Sequence, residues 1–437
     1  GLDMDHTLVR YNTEKFELLT FKEILKKLVK SKKYPASIQR LSFDFNDAIR
    51  GLVIDKVRGN LIKLGTYGRV KKVIHGNHHL THEEIEAIYQ DLVIDLKDDH
   101  FVAVDTTFSI SYAVSYARLV ALKDAKKINI NNYSEIADDI AHALNISHMD
   151  DSLKKVVRNN LSKYIIQDPE VVVYLERMKK AGKQLFLITN SDYSYTKALL
   201  DYTISPYLPK NSHWSKLFDL IIVNSNKPAF FTARQSFLKI DPKNGLLSNM
   251  TGELKKGIYQ GGSAKVLEKD FNLKGPEILY LGDHIYGDIL TLKRSCNWRT
   301  ALIIEEMADE VERFSSAKEY LGRIDELMRE KIDIENSLNI LLENKVKIKK
   351  KGEAQGVDSL FKLLKEVDNE VGQLIKKYNS YFNESWGEVM RSGIEKSRFA
   401  AQVEKYACIY MSKLSDLGEY SSRHYFRPHR ILMPHEL

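Results

Sequence analysis

Four short apolar runs in this chain each stop at a polar residue: Leu2 at Asp3, Leu185 to Ile188 at Thr189, Leu220 to Val223 at Asn224, and Ile278 to Leu281 at Gly282-Asp283. A run without polar alternation suits a strand buried on both faces, because helices cover both sides of a parallel sheet. Ala301 to Ile304 is a fifth such run. Helical patterns lie between several of them, Tyr193 to Leu200 and Ala264 to Phe271 among others, and this alternation predicts a doubly wound parallel-sheet α/β core. Ligands of such sheets bind at the carboxyl ends of the strands, so the polar residues that end the runs are where function is expected.

Asp3 and Thr189 stand 186 positions apart, far beyond an ordinary crossover. An inserted domain accounts for the distance, giving a core of residues 1–20 and 166–305 and a cap of residues 21–165. Residues 51–74 carry short β-rich runs, and helical stretches follow at His82 to Tyr89, Tyr112 to Leu122, Ser134 to Leu144 and Ser152 to Tyr164, so the cap is α+β. Past Ile304, Leu321, Ile324, Leu327, Ile334, Leu338 and Leu341 form one amphipathic face, which predicts a helical C-terminal region over 306–437 packing on core and cap. The basic run Lys345 to Lys351 reads as a solvated turn between helices, since no aromatics interleave with it.

Composition narrows the classes. The 437 residues carry a formal charge of +7 spread among 29% charged side chains of both signs, which is no nucleic-acid footprint. Cys296 and Cys408 have no metal or disulfide spacing, which fits a reducing, cytoplasmic compartment. No window approaches the roughly 20 apolar residues of a membrane helix, and no membrane partner is expected. Gly1-Leu2-Asp3 reads as the end of a buried strand whose earlier part precedes Gly1.

The strand ends hold a coherent set of groups. Asp3 and Asp5 stand at i and i+2 and can share a crevice, one carboxylate suited to attack phosphorus and the other to protonate a leaving oxygen and then activate water. Thr189-Asn190-Ser191 offers hydroxyl, amide and backbone donors for phosphate oxygens, and it also suits the N-cap of the helix that follows. Lys227 can neutralise both nucleophile and phosphate. Asp283 and Asp288, five apart in a glycine-containing turn, are hard oxygen ligands of the kind Mg²⁺ takes. His75, His78, His79 and His82 form a histidine-rich stretch, but Thr81 with Glu84 reads as a helix start and not as a second metal site.

The order Asp-x-Asp-x-Thr, Thr-Asn-Ser, Lys, Gly-Asp-x-x-x-x-Asp resembles the four motifs of haloacid dehalogenase phosphatases. The wording around them, together with Tyr259 to Ser263, residues 390–393, Phe399 to Tyr406 and residues 433–436, is similar to cytosolic purine 5'-nucleotidases, the IMP- and GMP-preferring type. That resemblance implies Asp3 as nucleophile and Asp5 as general acid and base. It implies Thr7, Thr189, Asn190, Ser191 and Lys227 around the phosphate. Mg²⁺ would be held by Asp3, Asp283, Asp288 and the Asp5 backbone carbonyl. In the cap it implies Phe108 stacked on the base, with His148 and Lys154 near the substrate, although the family's base-contacting arginine and aspartate do not align in residues 137–145. It further implies a nucleotide effector near Tyr286, phosphate transfer to a second nucleoside, and a homo-oligomer. A phosphatase of another small phosphomonoester and a non-catalytic nucleotide sensor are the alternatives.

Overall fold

The computed structural model describes residues 1–32, 34–345, 353–428 and 434–436. Most of the basic run and Met433 of the C-terminal motif lie outside them. Two units result: Gly1–Glu305 with Val389–Leu437, and Glu306–Glu388.

The first unit is built on a mixed sheet that Leu2 completes. Leu2 forms parallel bridges to Leu187 on one side and Leu281 on the other. Its N–H donates to Phe186 O at 2.7 Å, its carbonyl accepts from Ile188 N at 2.8 Å, and Asp3 N donates to Leu281 O at 2.8 Å. This joins two groups of strands, giving the spatial order Leu247–Asn249, Phe237–Ile240, Gly257–Gly261, Leu220–Val223, Phe186–Ile188, Leu2, Leu279–Gly282, Arg299–Ile303, Ile409–Met411. All neighbours from Gly257–Gly261 onward are parallel, and the first two strands are antiparallel.

Apolar runs fill both faces. Leu187, Ile221, Val223, Leu281, Ala301 and Ile303 pack with Val171, Leu175, Leu199 and Leu200 from the helices Pro169–Lys180 and Tyr193–Thr203. The alternate positions Phe186, Ile188, Leu220, Ile222 and Tyr280 pack with Phe230, Phe231, Leu267 and Leu292. Burial of Leu or Ile in such a core is worth about 1.5–3 kcal/mol each, which explains why no polar residue interrupts the runs.

The long excursion forms a separate antiparallel sheet in the order His78–His79, Val70–His75, Asn60–Leu64, Leu52–Asp55, Phe101–Val104. Helices Ile110–Asp124, Tyr133–Met149 and Ser152–Asn159 follow it. A division after residue 20 falls inside the helix Thr13–Ser31, and one after residue 165 falls inside Ile165–Ile166, which pairs antiparallel with Arg10–Tyr11.

Helices Met307–Lys345 and Glu353–Asn379 form the second unit, joined by the Arg323–Glu370 and Lys331–Asp368 ion pairs and by Leu327, Val367 and Val371. Residues from Val389 on belong to the first unit, where one helix, Arg398–Tyr406, precedes the edge strand Ile409–Met411. A three-residue strand carries too little periodicity to be read from sequence.

Candidate active site

The carboxyl ends of the central strands bring four charged side chains together. Asp3 follows Leu2, Lys227 lies past Leu220–Val223, and Asp283 with Asp288 follow Leu279–Gly282. Lys227 Nζ lies 2.8 Å from Asp3 Oδ1 and 2.9 Å from Asp288 Oδ1, and it donates to Tyr280 OH at 2.9 Å. Met4 N donates to the same Asp3 oxygen at 2.7 Å. Gly282 is required where it stands, because a Cβ there would come 2.4 Å from Asp288 Oδ2.

Asp3, Asp283 and Asp288 are buried, and each offers a ligand oxygen within 4.8 Å of the others. Burial pushes the Asp3 carboxyl well up against the pull of Lys227, and Asp288, Asp283 and Asp5 push the same way. Asp283 is raised too, by burial first, with His6 opposing and Asp288 adding. On Lys227 burial acts downward, but Asp288 and Asp3 outweigh it and hold the ammonium well above its ordinary value. The crowding of three buried carboxylates still raises Asp3 and Asp283, and Asp283 Oδ2 has no hydrogen-bond partner among the described residues. A divalent cation fits that donor set, since it would satisfy the orphaned oxygen and offset the repulsion.

Asp5 stands apart from this trio. Its Oδ1 accepts from Tyr11 OH at 2.6 Å and its Oδ2 from Ser191 Oγ at 2.8 Å, while Tyr11 OH also lies 3.0 Å from Tyr195 OH. Both carboxylate oxygens are thus held by hydroxyls.

The Thr-Asn-Ser segment braces the site from within. Thr189 Oγ1 accepts from Ser191 N at 3.0 Å. Asn190 Oδ1 accepts from Lys227 N at 2.6 Å and Ser225 Oγ at 2.9 Å, and its Nδ2 donates to Lys227 O at 3.0 Å. The amide of Asn190 therefore shapes the loop that carries Lys227. Asp192, next in sequence, caps the helix Tyr193–Thr203 through Tyr195 N. Thr7 is buried, and its Oγ1 has no hydrogen-bond partner among the described residues.

Residues of the excursion gather near Asp5. Phe108 lies edge-on to His6 at 4.4 Å, Phe16 at 5.6 Å and His148 at 6.1 Å between ring centroids. Lys154 Nζ pairs with Asp192 Oδ2 at 2.8 Å and lies 5.3 Å from the Tyr195 ring. Burial, helped by Lys154, lowers His148 below the usual histidine value, while Asp5 acts the other way.

Tyr11, Tyr280 and Arg50 were not read from the sequence as members of the site. Tyr280 sits inside an apolar run and reads there as core; only the third dimension gives its hydroxyl to Lys227. The histidine-rich stretch is bound locally: His75 contacts Asn60 and Asp124, and Thr81 with Glu84 forms a capping box. Among the described residues no histidine joins a metal-holding group, and no helix is long and apolar enough to cross a membrane.

The chain is 28% identical over 445 residues to a 5'-nucleotidase domain-containing protein of Dictyostelium discoideum, covering all of this chain and 72% of that protein. It is 27% identical over 448 residues to 5'-nucleotidase domain-containing protein 2 of Rattus norvegicus, covering all of this chain and 77% of the relative. The model of the 5' nucleotidase family matches residues 1–437, so the chain belongs to the 5' nucleotidase family and is a 5'-nucleotidase enzyme.

Proposed function

We propose that this protein is a cytoplasmic, Mg²⁺-dependent phosphatase with a haloacid-dehalogenase-type doubly wound core, which hydrolyses purine nucleoside 5'-monophosphates to nucleoside and phosphate. The observation that carries the reading is the buried group of Asp3, Asp283 and Asp288 around Lys227 at neighbouring strand ends.

In this reading an Asp3 oxygen attacks phosphorus as the bond from phosphorus to the nucleoside 5'-oxygen breaks, and Asp5 gives its proton to that oxygen. Asp5 then takes a proton from water, whose oxygen attacks phosphorus and releases Asp3 and inorganic phosphate. A nucleoside hydroxyl in place of water would give phosphate transfer. Lys227 is already within reach of Asp3 and offsets the charge that develops on the phosphoryl group. Tyr11 and Ser191 orient Asp5. Asp3, Asp283 and Asp288, with the Asp5 backbone carbonyl, would hold Mg²⁺, which supplies Lewis-acid neutralisation of the phosphoryl oxygens when bound.

Phe108 offers a ring for a purine, and Lys154 a cation for the phosphate. His148, held below its ordinary value by burial and Lys154, would contact the nucleoside in its neutral form. The proposed form is a homo-oligomer without nucleic-acid or membrane partners, and a light-scattering mass equal to one chain at micromolar concentration would reject the oligomer.

The deciding experiment measures phosphate release from IMP, GMP, AMP, CMP, UMP and sugar phosphates, with Mg²⁺ or EDTA, in wild type and Asp3→Asn. Turnover of purine nucleotides that needs Mg²⁺ and falls at least about 10³-fold in Asp3→Asn is expected. Turnover of sugar phosphates alone would reject the nucleotide assignment, and none at all would favour a nucleotide sensor.

A further inference from the structure

Arg50 is among the largest fully buried side chains of the protein, 1% exposed, and no step above uses it. It comes just before the strand Leu52–Asp55. Gly51 follows with φ +91°, and a Cβ there would lie 2.8 Å from Phe399 Cβ, so glycine lets the chain pass Phe399 and turn Arg50 inward. The guanidinium carbon lies 5.9 Å from the centre of the Phe399 ring.

Three acceptors on three segments receive it: Thr107 Oγ1 at 2.8 Å, Ile303 O at 3.2 Å and Asp283 O at 3.4 Å. Thr107 directly precedes Phe108, the ring offered to the base. Asp283 brings a carboxylate to the cation group, and Ile303 ends the strand paired with Leu279–Gly282. A rigid planar fork fixes its acceptors relative to one another better than an ammonium does. Because the charge is buried, breaking these contacts is costly, so the three segments are held in one arrangement.

We propose that Arg50 is a positioning residue that ties the metal-ligand turn at Asp283 to the wall carrying Phe108 and so sets the spacing between metal and nucleoside. This rests on reading the site as that of a metal-dependent nucleotidase.

The test compares wild type with Arg50→Met, Arg50→Lys and Thr107→Val as full chains. Mg²⁺ affinity is measured by calorimetry without substrate, and kcat and KM are measured for IMP and for p-nitrophenyl phosphate, which has no base. Arg50→Met is expected to weaken Mg²⁺ binding about tenfold, as loss of a group that orients a metal ligand commonly does, and to raise the KM for IMP. Arg50→Lys, with the charge but not the fork, is expected to fall between Arg50→Met and wild type. Thr107→Val cuts the tether on the nucleoside side alone, so it should raise the KM for IMP while leaving Mg²⁺ affinity and the KM for p-nitrophenyl phosphate unchanged.

Wild-type Mg²⁺ affinity in Arg50→Met overturns the proposal, and so does a Thr107→Val change that affects both substrates equally. If Arg50→Met does not fold, Arg50→Lys is held to the same criteria. A wild type that binds Mg²⁺ but hydrolyses no nucleotide defeats the nucleotidase reading instead, and the Mg²⁺ titrations of the Arg50 variants still decide the metal half of the tether.

Discussion

Lys227 shows how much a single residue can hold in place. Its ammonium faces Asp3 and Asp288 at 2.8 and 2.9 Å with almost no exposure, so Lys227→Met would leave buried carboxylates without their internal counter-charge. Removing one partner of a buried pair typically costs about 3–5 kcal/mol. Urea unfolding of Lys227→Met in EDTA is expected to show a loss of that order, and added Mg²⁺ should restore part of it by supplying positive charge among the same carboxylates. An equal loss with and without Mg²⁺ would mean that the carboxylates do not hold the ion. Asp3 and Asp283 were legible in the sequence because they come at the ends of apolar runs, while Lys227 and Asp288 were legible only by position, a few residues past such an end. Tyr11 and Tyr280 were not, since an aromatic ring near a core is expected for its apolar area and its hydroxyl partner depends on strands far away in the chain. Asn190 was legible as a polar group at the site but not in its direction, for it could face a phosphate or a neighbouring loop from the same position.

Helices and strands show the same division between local and distant signals. His82–Tyr89 was readable from Thr81 and Glu84 because a capping box is a local device. Phe237–Ile240 and Leu247–Asn249 were not, since they are short strands with several exposed residues and carry no continuous apolar run. The helix Thr13–Ser31 holds a further surprise in Glu17, which is fully buried and accepts from Ser111 N at 2.6 Å at the start of the helix Ile110–Asp124. Burial pushes its carboxyl up to about 7, although the Ser111 hydrogen bonds act the other way. A raised acid keeps its proton in the folded chain after the unfolded chain has lost it. Stability is therefore expected to fall as pH rises from about 4.5 to about 7 and to level off above, by about 3 kcal/mol in all from this residue. Glu17→Gln keeps an acceptor for Ser111 without a titrating proton. The difference in unfolding free energy between the variant and wild type should grow in the variant's favour between pH 5 and pH 8, and a constant difference would show that Glu17 titrates normally.

At the scale of the whole molecule, the site joins positions from Asp3 to Asp288, so it exists only when the central sheet is intact, and anything that binds there stabilises that sheet. A ligand specific to the folded state at a hundred times its Kd adds about 2.7 kcal/mol, or about a hundredfold slowing of exchange for amides that open only when the site is lost. The amides to watch are Asp3, bonded to Leu281 O, Thr189, bonded to Ile222 O, and Leu281, bonded to Gly1 O, because each sits in the ladder that aligns the strand ends. Residues Glu306–Glu388 form their own unit, held by Leu327, Val367, Val371 and the Arg323–Glu370 and Lys331–Asp368 pairs. Hydrogen exchange followed by mass spectrometry, with Mg²⁺ and beryllium fluoride as the phosphoryl mimic, should therefore slow peptides containing Asp3, Thr189 and Leu281 and leave those of the two long helices at their original rates. Equal slowing in both would show that the units open as one cooperative body, and the stability of the site would then depend on the helical pair as well.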